Sequence, residues 1–198
     1  MPVAKLVENL PPSGIRAFFD LVLGMKDVIS LGVGEPDFVT PWNVREKAIY
    51  SLEQGYTSYT SNKGLIELRR DIVRFLKWRF DLDYDPETEM LVTVGVSEAL
   101  DLAARAILNR GEKVLIPEPC FVAYAPLVKL AGGEPVIIVT DVKNGFKLTP
   151  EQIRKSYTKG AKALLINYPC NPTGASYDKK ELAAIARMVK KLGLLLIS

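Results

Sequence analysis

The stretch AKALLINYPCNPTG, residues 161–174, decides the fold that the sequence predicts. It begins with an apolar run, residues 161–167, in which hydrophobic side chains follow one another without alternating with polar ones. Such runs are typical of strands that are covered on both faces within a parallel sheet. Two prolines and a glycine surround Asn171 in the remaining residues, which indicates a rigid loop directly after the strand.

The same rhythm of strand and helix extends to both sides of this stretch. We predict strands over residues 90–94, 113–116, 135–140, 161–167 and 194–197, and helices over 97–109, 121–131 and 178–192 and from 150. Capping boxes at Thr149–Gln152 and Asp178–Glu181 mark two of the helix starts. Alternating strands and helices predict an α/β fold, with a mostly parallel sheet and helices on both faces.

The residues before this region form fewer regular elements. Apolar spacing predicts amphipathic helices over 41–54 and 65–76, joined by a polar and aromatic loop. A short helix over 15–24 and a short strand over 29–33 are predicted in the first forty residues.

Composition narrows the function classes. The chain has 198 residues, 48% of them hydrophobic and 25% charged, with a net charge of +3. Its basic residues occur in short pairs, so we expect no nucleic-acid partner. These residues include no histidine, which excludes a Ser-His-Asp system and a histidine metal site here. The only cysteines, Cys120 and Cys170, lack the spacing of zinc ligands, and two thiols indicate a reducing compartment. No apolar run reaches the roughly 18 residues of a membrane span. We therefore expect a cytoplasmic protein that binds neither a metal nor a membrane.

Residues that follow the strands are the candidate ligand contacts, because parallel sheets bind ligands at their carboxyl ends. Gly95 permits a tight turn and Ser97 offers a hydroxyl at a helix N-terminus, which suits a phosphate; a plain helix cap at Ser97 stays open. Phe121, at the start of the next predicted helix, suits stacking on a flat ligand or a place in the core. Asn171 has a side-chain amide that the rigid loop holds in one orientation, although a simple Asn-Pro turn is the alternative.

Four motifs occur in one order: LGVGEPDF (31–38), YTSY (56–59), GVSEAL (95–100) and NPTG (171–174). Together they resemble the pyridoxal-phosphate-dependent aminotransferases of fold type I, class I/II, the aspartate- and aromatic-aminotransferase-like group. The resemblance implies transfer of an amino group between an amino acid and a 2-oxo acid. It also implies that residues 1–40 are an N-terminal arm and small-domain segment, and that 41–198 form the first part of the cofactor-binding large domain.

The resemblance also implies residue roles in binding the cofactor, pyridoxal 5'-phosphate. Gly95, Val96 and Ser97 would hold its phosphate, Phe121 would stack on its ring, and Asn171 would bond its phenolate oxygen. Cis peptide bonds are implied at Glu118-Pro119 and Asn171-Pro172.

The resemblance also implies roles for two residues that lie earlier in the chain. Gly34 would offer its backbone N–H to the substrate carboxylate. Tyr59 would reach the phosphate of a neighbouring subunit, which implies a homodimer.

The resemblance places the Schiff-base lysine and the acid that pairs with the pyridine nitrogen beyond the NPTG loop. We find neither in the 198 residues, since Lys159 of the Ser-x-x-Lys sequence 156–159 precedes that loop. We therefore expect that the 198 residues contain no catalytic residue and correspond to about half of an aminotransferase. We also expect no activity without a C-terminal half. A split-half or non-catalytic partner module and a lyase or synthase of the same fold stay open. A dehydrogenase or methyltransferase nucleotide domain is disfavoured, because no Gly-x-Gly-x-x-Gly opens a helix.

Overall fold

A computed structural model of the chain describes residues 3–11, 29, 34 and 36–198. The chain divides into two compact units, one made of Met1–Pro12 with Val94–Ser198 and the other of Ser13–Thr93. The predicted helix over 15–24 and nearly all of the predicted strand over 29–33 lie outside the described residues. The predicted domain boundary after residue 40 stays a prediction.

The elements are numbered in chain order. The described helices are α1 (Lys5–Glu8), α2 (Trp42–Glu53), α3 (Ile66–Phe80), α4 (Gly95–Ile107), α5 (Tyr124–Leu130), α6 (Pro150–Ser156) and α7 (Lys179–Leu192). The strands are β1 (Lys113–Glu118), β2 (Glu134–Val139), β3 (Ala161–Leu165) and β4 (Leu195–Ile197). No helix in the described part of the chain is long and apolar enough to cross a membrane.

The four strands form one parallel sheet in the unit that contains Val94–Ser198, in the order β2-β1-β3-β4. Side chains alternate between its faces. Val114 and Ile116 of β1 pack in a cluster with residues of α4 and α5, whereas Leu115 packs with residues of α6 and α7. Each face therefore has its own buried core, and the predicted α/β fold with helices on both faces of a parallel sheet is confirmed.

Both predicted capping boxes are confirmed. The Thr149 hydroxyl accepts the Gln152 N–H at 3.3 Å, and the Gln152 side chain accepts the Thr149 N–H at 2.9 Å. Asp178 and Glu181 make the same reciprocal pair at 2.8 and 2.7 Å. Each pair satisfies backbone N–H groups that would otherwise have no partner at a helix start, so α6 and α7 begin where the sequence predicts.

The predicted strand over residues 90–94 is wrong. These residues pair with no strand of the described sheet, and the Val92 N–H instead donates to the Lys63 carbonyl at 3.1 Å. Apolar composition favours an extended run, but a strand also requires a neighbouring strand that supplies its hydrogen bonds. The segment has no regular secondary structure and leads into α4.

Helices α2 and α3 belong to the unit Ser13–Thr93 and confirm the amphipathic helices predicted there. Arg69 of α3 is buried, with 3% of its surface exposed. Its Nε donates to the Gly64 carbonyl at 3.3 Å and its Nη1 donates to the Pro86 carbonyl. The guanidinium thus ties α3 to the segments before and after it.

Candidate functional site

Helix α4 runs antiparallel to the strands, and this direction determines at which edge of the sheet its N-terminus lies. Its C-terminal neighbour Leu108 lies at the amino edge of the sheet, because a Cβ added to Gly133, just before β2, would come within 2.8 Å of Leu108 Cδ1. Leu100, nearer the N-terminus, packs against the cluster that contains Val114 and Ile116 of β1, so the helix lies over this face of the sheet. A helix of this length spans about 20 Å, similar to a six-residue strand. The first turn of α4 therefore lies at the carboxyl edge of the sheet.

The first turn of α4 carries the predicted phosphate contacts. Gly95 opens the helix with φ of +78°, a conformation that residues with a Cβ rarely adopt. Val94 is the N-cap residue and no side chain caps the helix, so Ser97 is not its cap and the alternative role left open for it is excluded. Glu98 Oε2 accepts the Val94 N–H. Gly95, Val96 and Ser97 are exposed.

The loop after β1 carries Phe121, and the predicted helix start at this residue is wrong. Helix α5 begins at Tyr124. Proline is tolerated only in the first turn of a helix, and a start at Phe121 would place Pro126 in the interior. Phe121 instead precedes the helix, partly buried, with its ring edge-on to Tyr124 at 5.6 Å between centroids. The predicted cis peptide bond at Glu118-Pro119 is confirmed.

The loop after β3 carries Asn171 in an exposed position. The predicted cis peptide bond at Asn171-Pro172 is confirmed, and Tyr168-Pro169 is also cis. Backbone bonds close the loop, since the Gly174 N–H donates to the Cys170 carbonyl at 2.7 Å and the Cys170 N–H to the Ala175 carbonyl at 2.8 Å. Residues 170–175 thus form a hydrogen-bonded turn.

Asn167 braces the same loop from the end of the strand. Its Oδ1 accepts the Asn171 N–H at 3.1 Å, and its Nδ2 donates to the Pro169 carbonyl at 3.1 Å. Sequence reasoning missed this residue, because it extended the strand over residues 161–167 whereas β3 ends at Leu165. A polar residue that directly follows an apolar run, four positions before Asn171, is the signal that would have found it.

The two cysteines lie where the loops after β1 and β3 meet. The Cys170 thiol donates to the Pro119 carbonyl at 3.4 Å, and both thiols are free. Burial, with the nearby Glu118 and then Cys170, raises the pKa of Cys120 to about 11. Cys120 is therefore a neutral thiol at physiological pH, with little nucleophilic or metal-binding capacity.

A small pocket lies between these loops and the end of β2. It is lined by Pro117, Pro119, Cys120, Tyr124, Thr140, Phe146, Leu165, Asn167, Cys170 and Tyr177. Thr140 is buried there, and its hydroxyl donates to the Glu118 carbonyl at 2.7 Å. The buried Thr140 hydroxyl is thus satisfied by a carbonyl group behind the loops.

The predicted site residues belong to two different compact units. Phe121 and Asn171 follow the carboxyl ends of β1 and β3, and Gly95–Ser97 begin α4 in the same compact unit. Tyr59 lies in the other unit with its ring fully exposed, and Gly34 of that unit is exposed as well. Lys159 is exposed and precedes β3, at the amino edge of the sheet.

Comparisons with known proteins agree with one another. A family model described as aminotransferase class I and II matches residues 26–198. The putative aminotransferase YugH of Bacillus subtilis (strain 168) is 59% identical over 189 residues, which cover 96% of this chain and 49% of that protein. The aspartate aminotransferase of Pyrococcus abyssi (strain GE5 / Orsay) is 46% identical and is matched over 100% of this chain and 51% of that protein.

A solved structure gives the same result. The aspartate aminotransferase from Thermus thermophilus with maleate has a TM-score of 0.91 and 36% identity, covering 99% of this chain and 52% of that one. The chain spans about half the length of the curated relatives it matches.

Proposed function

The chain belongs to the class I and II aminotransferases, and we propose that it contributes to the transfer of an amino group between an amino acid and a 2-oxo acid with pyridoxal 5'-phosphate. Two features of one compact unit carry the proposal: the glycine-led first turn of α4 and the braced Asn171 loop that follows β3. In this proposal residues 41–198 form the first part of the cofactor-binding large domain, and residues 1–40 an arm and small-domain segment.

The first turn of α4, Phe121 and Asn171 suit the three chemical features of the cofactor. Its phosphate is an anion, and the first turn of a helix binds anions through backbone N–H groups and the helix dipole. A Cβ added to Gly95 would meet no atom within 4 Å, so the approach to that turn is open. Phe121 supplies an aromatic ring and Asn171 an exposed amide. When bound, the cofactor supplies an electron sink for breaking bonds at the amino acid Cα.

The proposed roles of the chain's own residues follow from this fit. Gly95, Val96 and Ser97 hold the phosphate through first-turn N–H groups and the Ser97 hydroxyl. Phe121 packs against one face of the flat ring. Asn171 donates its side-chain N–H to the phenolate oxygen and keeps the ring in one orientation.

Two proposed contacts involve the other unit. Gly34 offers its N–H to the substrate carboxylate, and Tyr59 reaches the phosphate bound by a second subunit, so the working form is a homodimer. The full exposure of the Tyr59 ring and the 62% exposure of Trp42 support a partner surface. The two free thiols support a cytoplasmic location.

A chimera tests this function. The chain is joined to the second half of the 59% identical Bacillus relative, and transfer to 2-oxoglutarate is measured with aspartate and with aromatic amino acids. We expect transfer that depends on pyridoxal phosphate and is lost on Asn171→Ala but kept on Asn109→Ala. The 198 residues alone should give none, since the added half supplies the Schiff-base lysine. A folded chimera that neither binds the cofactor nor transfers, beside an active intact relative, would contradict the proposal.

A further inference from the structure

Both polar atoms of the Asn167 side chain form hydrogen bonds with the loop that carries Asn171. Its Oδ1 accepts the backbone N–H of Asn171 and its Nδ2 donates to the Pro169 carbonyl, both at 3.1 Å. One amide thus holds two points of the loop, on either side of Cys170. Because an amide is planar, these two bonds also fix its own orientation.

The residue before Asn167 is buried and bonded to the sheet. Ile166 is 2% exposed, and its N–H donates to the Ile197 carbonyl of β4 at 2.9 Å. Asn167 therefore leaves the sheet from a buried, hydrogen-bonded position rather than from a free loop. A side chain on such a base transmits the geometry of the sheet to whatever it binds.

Asn171 receives this support only through its backbone. The Asn167 bond goes to the Asn171 N–H, and no described residue bonds the exposed side-chain amide of Asn171. The side chain is thus left available while its main chain is held. We propose that Asn167 is a positioning residue, which holds the Asn171 backbone so that the Asn171 amide meets the phenolate oxygen of pyridoxal phosphate. This inference rests on the function proposed above.

The first test measures the brace in the 198-residue chain by amide hydrogen exchange. Asn167→Ala removes the acceptor, and we expect exchange at the Asn171 N–H to accelerate at least tenfold. Asn167→Asp keeps an acceptor oxygen and should retain most of the protection. Asn109→Ala, at the amino edge of the sheet, is the matched control and should leave that amide unchanged. Equal protection in Asn167→Ala and the unsubstituted chain would overturn the proposal.

The second test asks whether the brace acts through Asn171, and it uses the chimera described above. We measure the dissociation constant of pyridoxal phosphate and the pH at which its bound absorbance titrates. Asn167→Ala should weaken binding severalfold and shift the titration in the same direction as Asn171→Ala. In an Asn171→Ala background the second substitution, Asn167→Ala, should add little, because a positioning residue acts through the group it positions.

The outcomes separate this inference from the function on which it rests. No binding of pyridoxal phosphate by the folded, unsubstituted chimera would overturn the proposed function. Normal binding that Asn167→Ala leaves unchanged would overturn the role of Asn167 alone. Fully additive effects of the two substitutions would also overturn it, since they would show a purely structural contribution of Asn167.

Discussion

The two compact units of this chain bury different kinds of side chain. In the unit with Val94–Ser198, apolar residues form a core on each face of the sheet. In Ser13–Thr93, Arg69 is the one buried residue among those the structure describes. One unit is therefore stabilised mainly by removing apolar surface from water, and the described part of the other by a guanidinium bonded to carbonyl groups.

The contrast shows what an amphipathic pattern determines. Helices α3 and α7 both place apolar residues on one side. Helix α7 buries Ile185 and Val189 against the sheet, whereas Leu68 and Phe75 of α3 remain 45% and 52% exposed. The pattern predicts a helix and its apolar side, but burial depends on another element that covers that side.

The largest expected effect compares the same substitution in both units. Leu164→Ala, at a side chain with no exposed surface, should destabilise its unit by about 3 kcal/mol because it leaves a cavity in the core. Leu52→Ala, at a side chain 65% exposed, should change stability by less than about 0.5 kcal/mol. Hydrogen exchange of individual peptides during urea unfolding measures the stability of each unit separately. Similar losses at the two sites would remove the contrast.

The next effect concerns the buried arginine. Arg69→Met keeps the apolar stem but leaves the Gly64 and Pro86 carbonyls without this donor, and should cost about 2 kcal/mol. The neighbouring Arg70→Met is the control. Its side chain is 58% exposed and 3.4 Å from Glu87, so about 0.5 kcal/mol or less is expected. The free energy of unfolding of residues 36–93 is the measurement, and equal losses would refute a special role of Arg69.

Helix caps should produce a smaller difference in stability between the two units. Thr149→Ala removes the cap of α6 and should cost about 1 kcal/mol. Helix α3 has Leu65 at the corresponding position with no side-chain bond. Leu65→Asp should supply a cap and stabilise α3 by about 0.5–1 kcal/mol, measured from the unfolding midpoint. Destabilisation by Leu65→Asp would show that the apolar side chain matters more than a cap.

The smallest expected effect depends on pH. Lys147 and Glu181 form an ion pair at 2.8 Å, and the hydrogen bond from the Lys147 side chain holds the pKa of Glu181 below its ordinary value of 4.5. Because the pKa of Glu181 is lower in the folded state, its ionised form stabilises the folded protein at pH values above 4.5. This contribution disappears as the pH falls through the folded-state pKa. Glu181 in turn raises the pKa of Lys147 above 10.5, so that contribution is lost at higher pH.

Glu181→Gln isolates this pair, because glutamine can still accept the Asp178 N–H of the capping box. It should destabilise less than Thr149→Ala at neutral pH and have no effect at a pH where Glu181 is protonated. Asp71→Asn, which breaks the exposed pair with Arg74, should be neutral throughout. Thermal unfolding from pH 2 to 9 is the measurement, and a difference that persists at the lowest pH would contradict the assignment.

Local signals predicted much of the fold and part of the site. The capping boxes at Thr149 and Asp178 marked two helices correctly, because both partners of each box lie within four residues. Apolar runs placed β1 to β4. The same signal failed over residues 90–94, which pair with no strand of the described sheet. The start of α5 was misplaced because apolar spacing outweighed Pro126, whose own constraint was local and readable.

By itself, the sequence determined the alternation of strands and helices, the rigid NPTG loop and the glycine at the start of α4, because short-range sterics and hydrogen bonding control these features. Only the tertiary structure decided that α4 runs antiparallel to the strands, that the Cys170 thiol meets the Pro119 carbonyl, and which apolar faces are buried. Those outcomes depend on elements far apart in the chain. Burial and electrostatics act on groups that are close in space, whatever their separation in sequence.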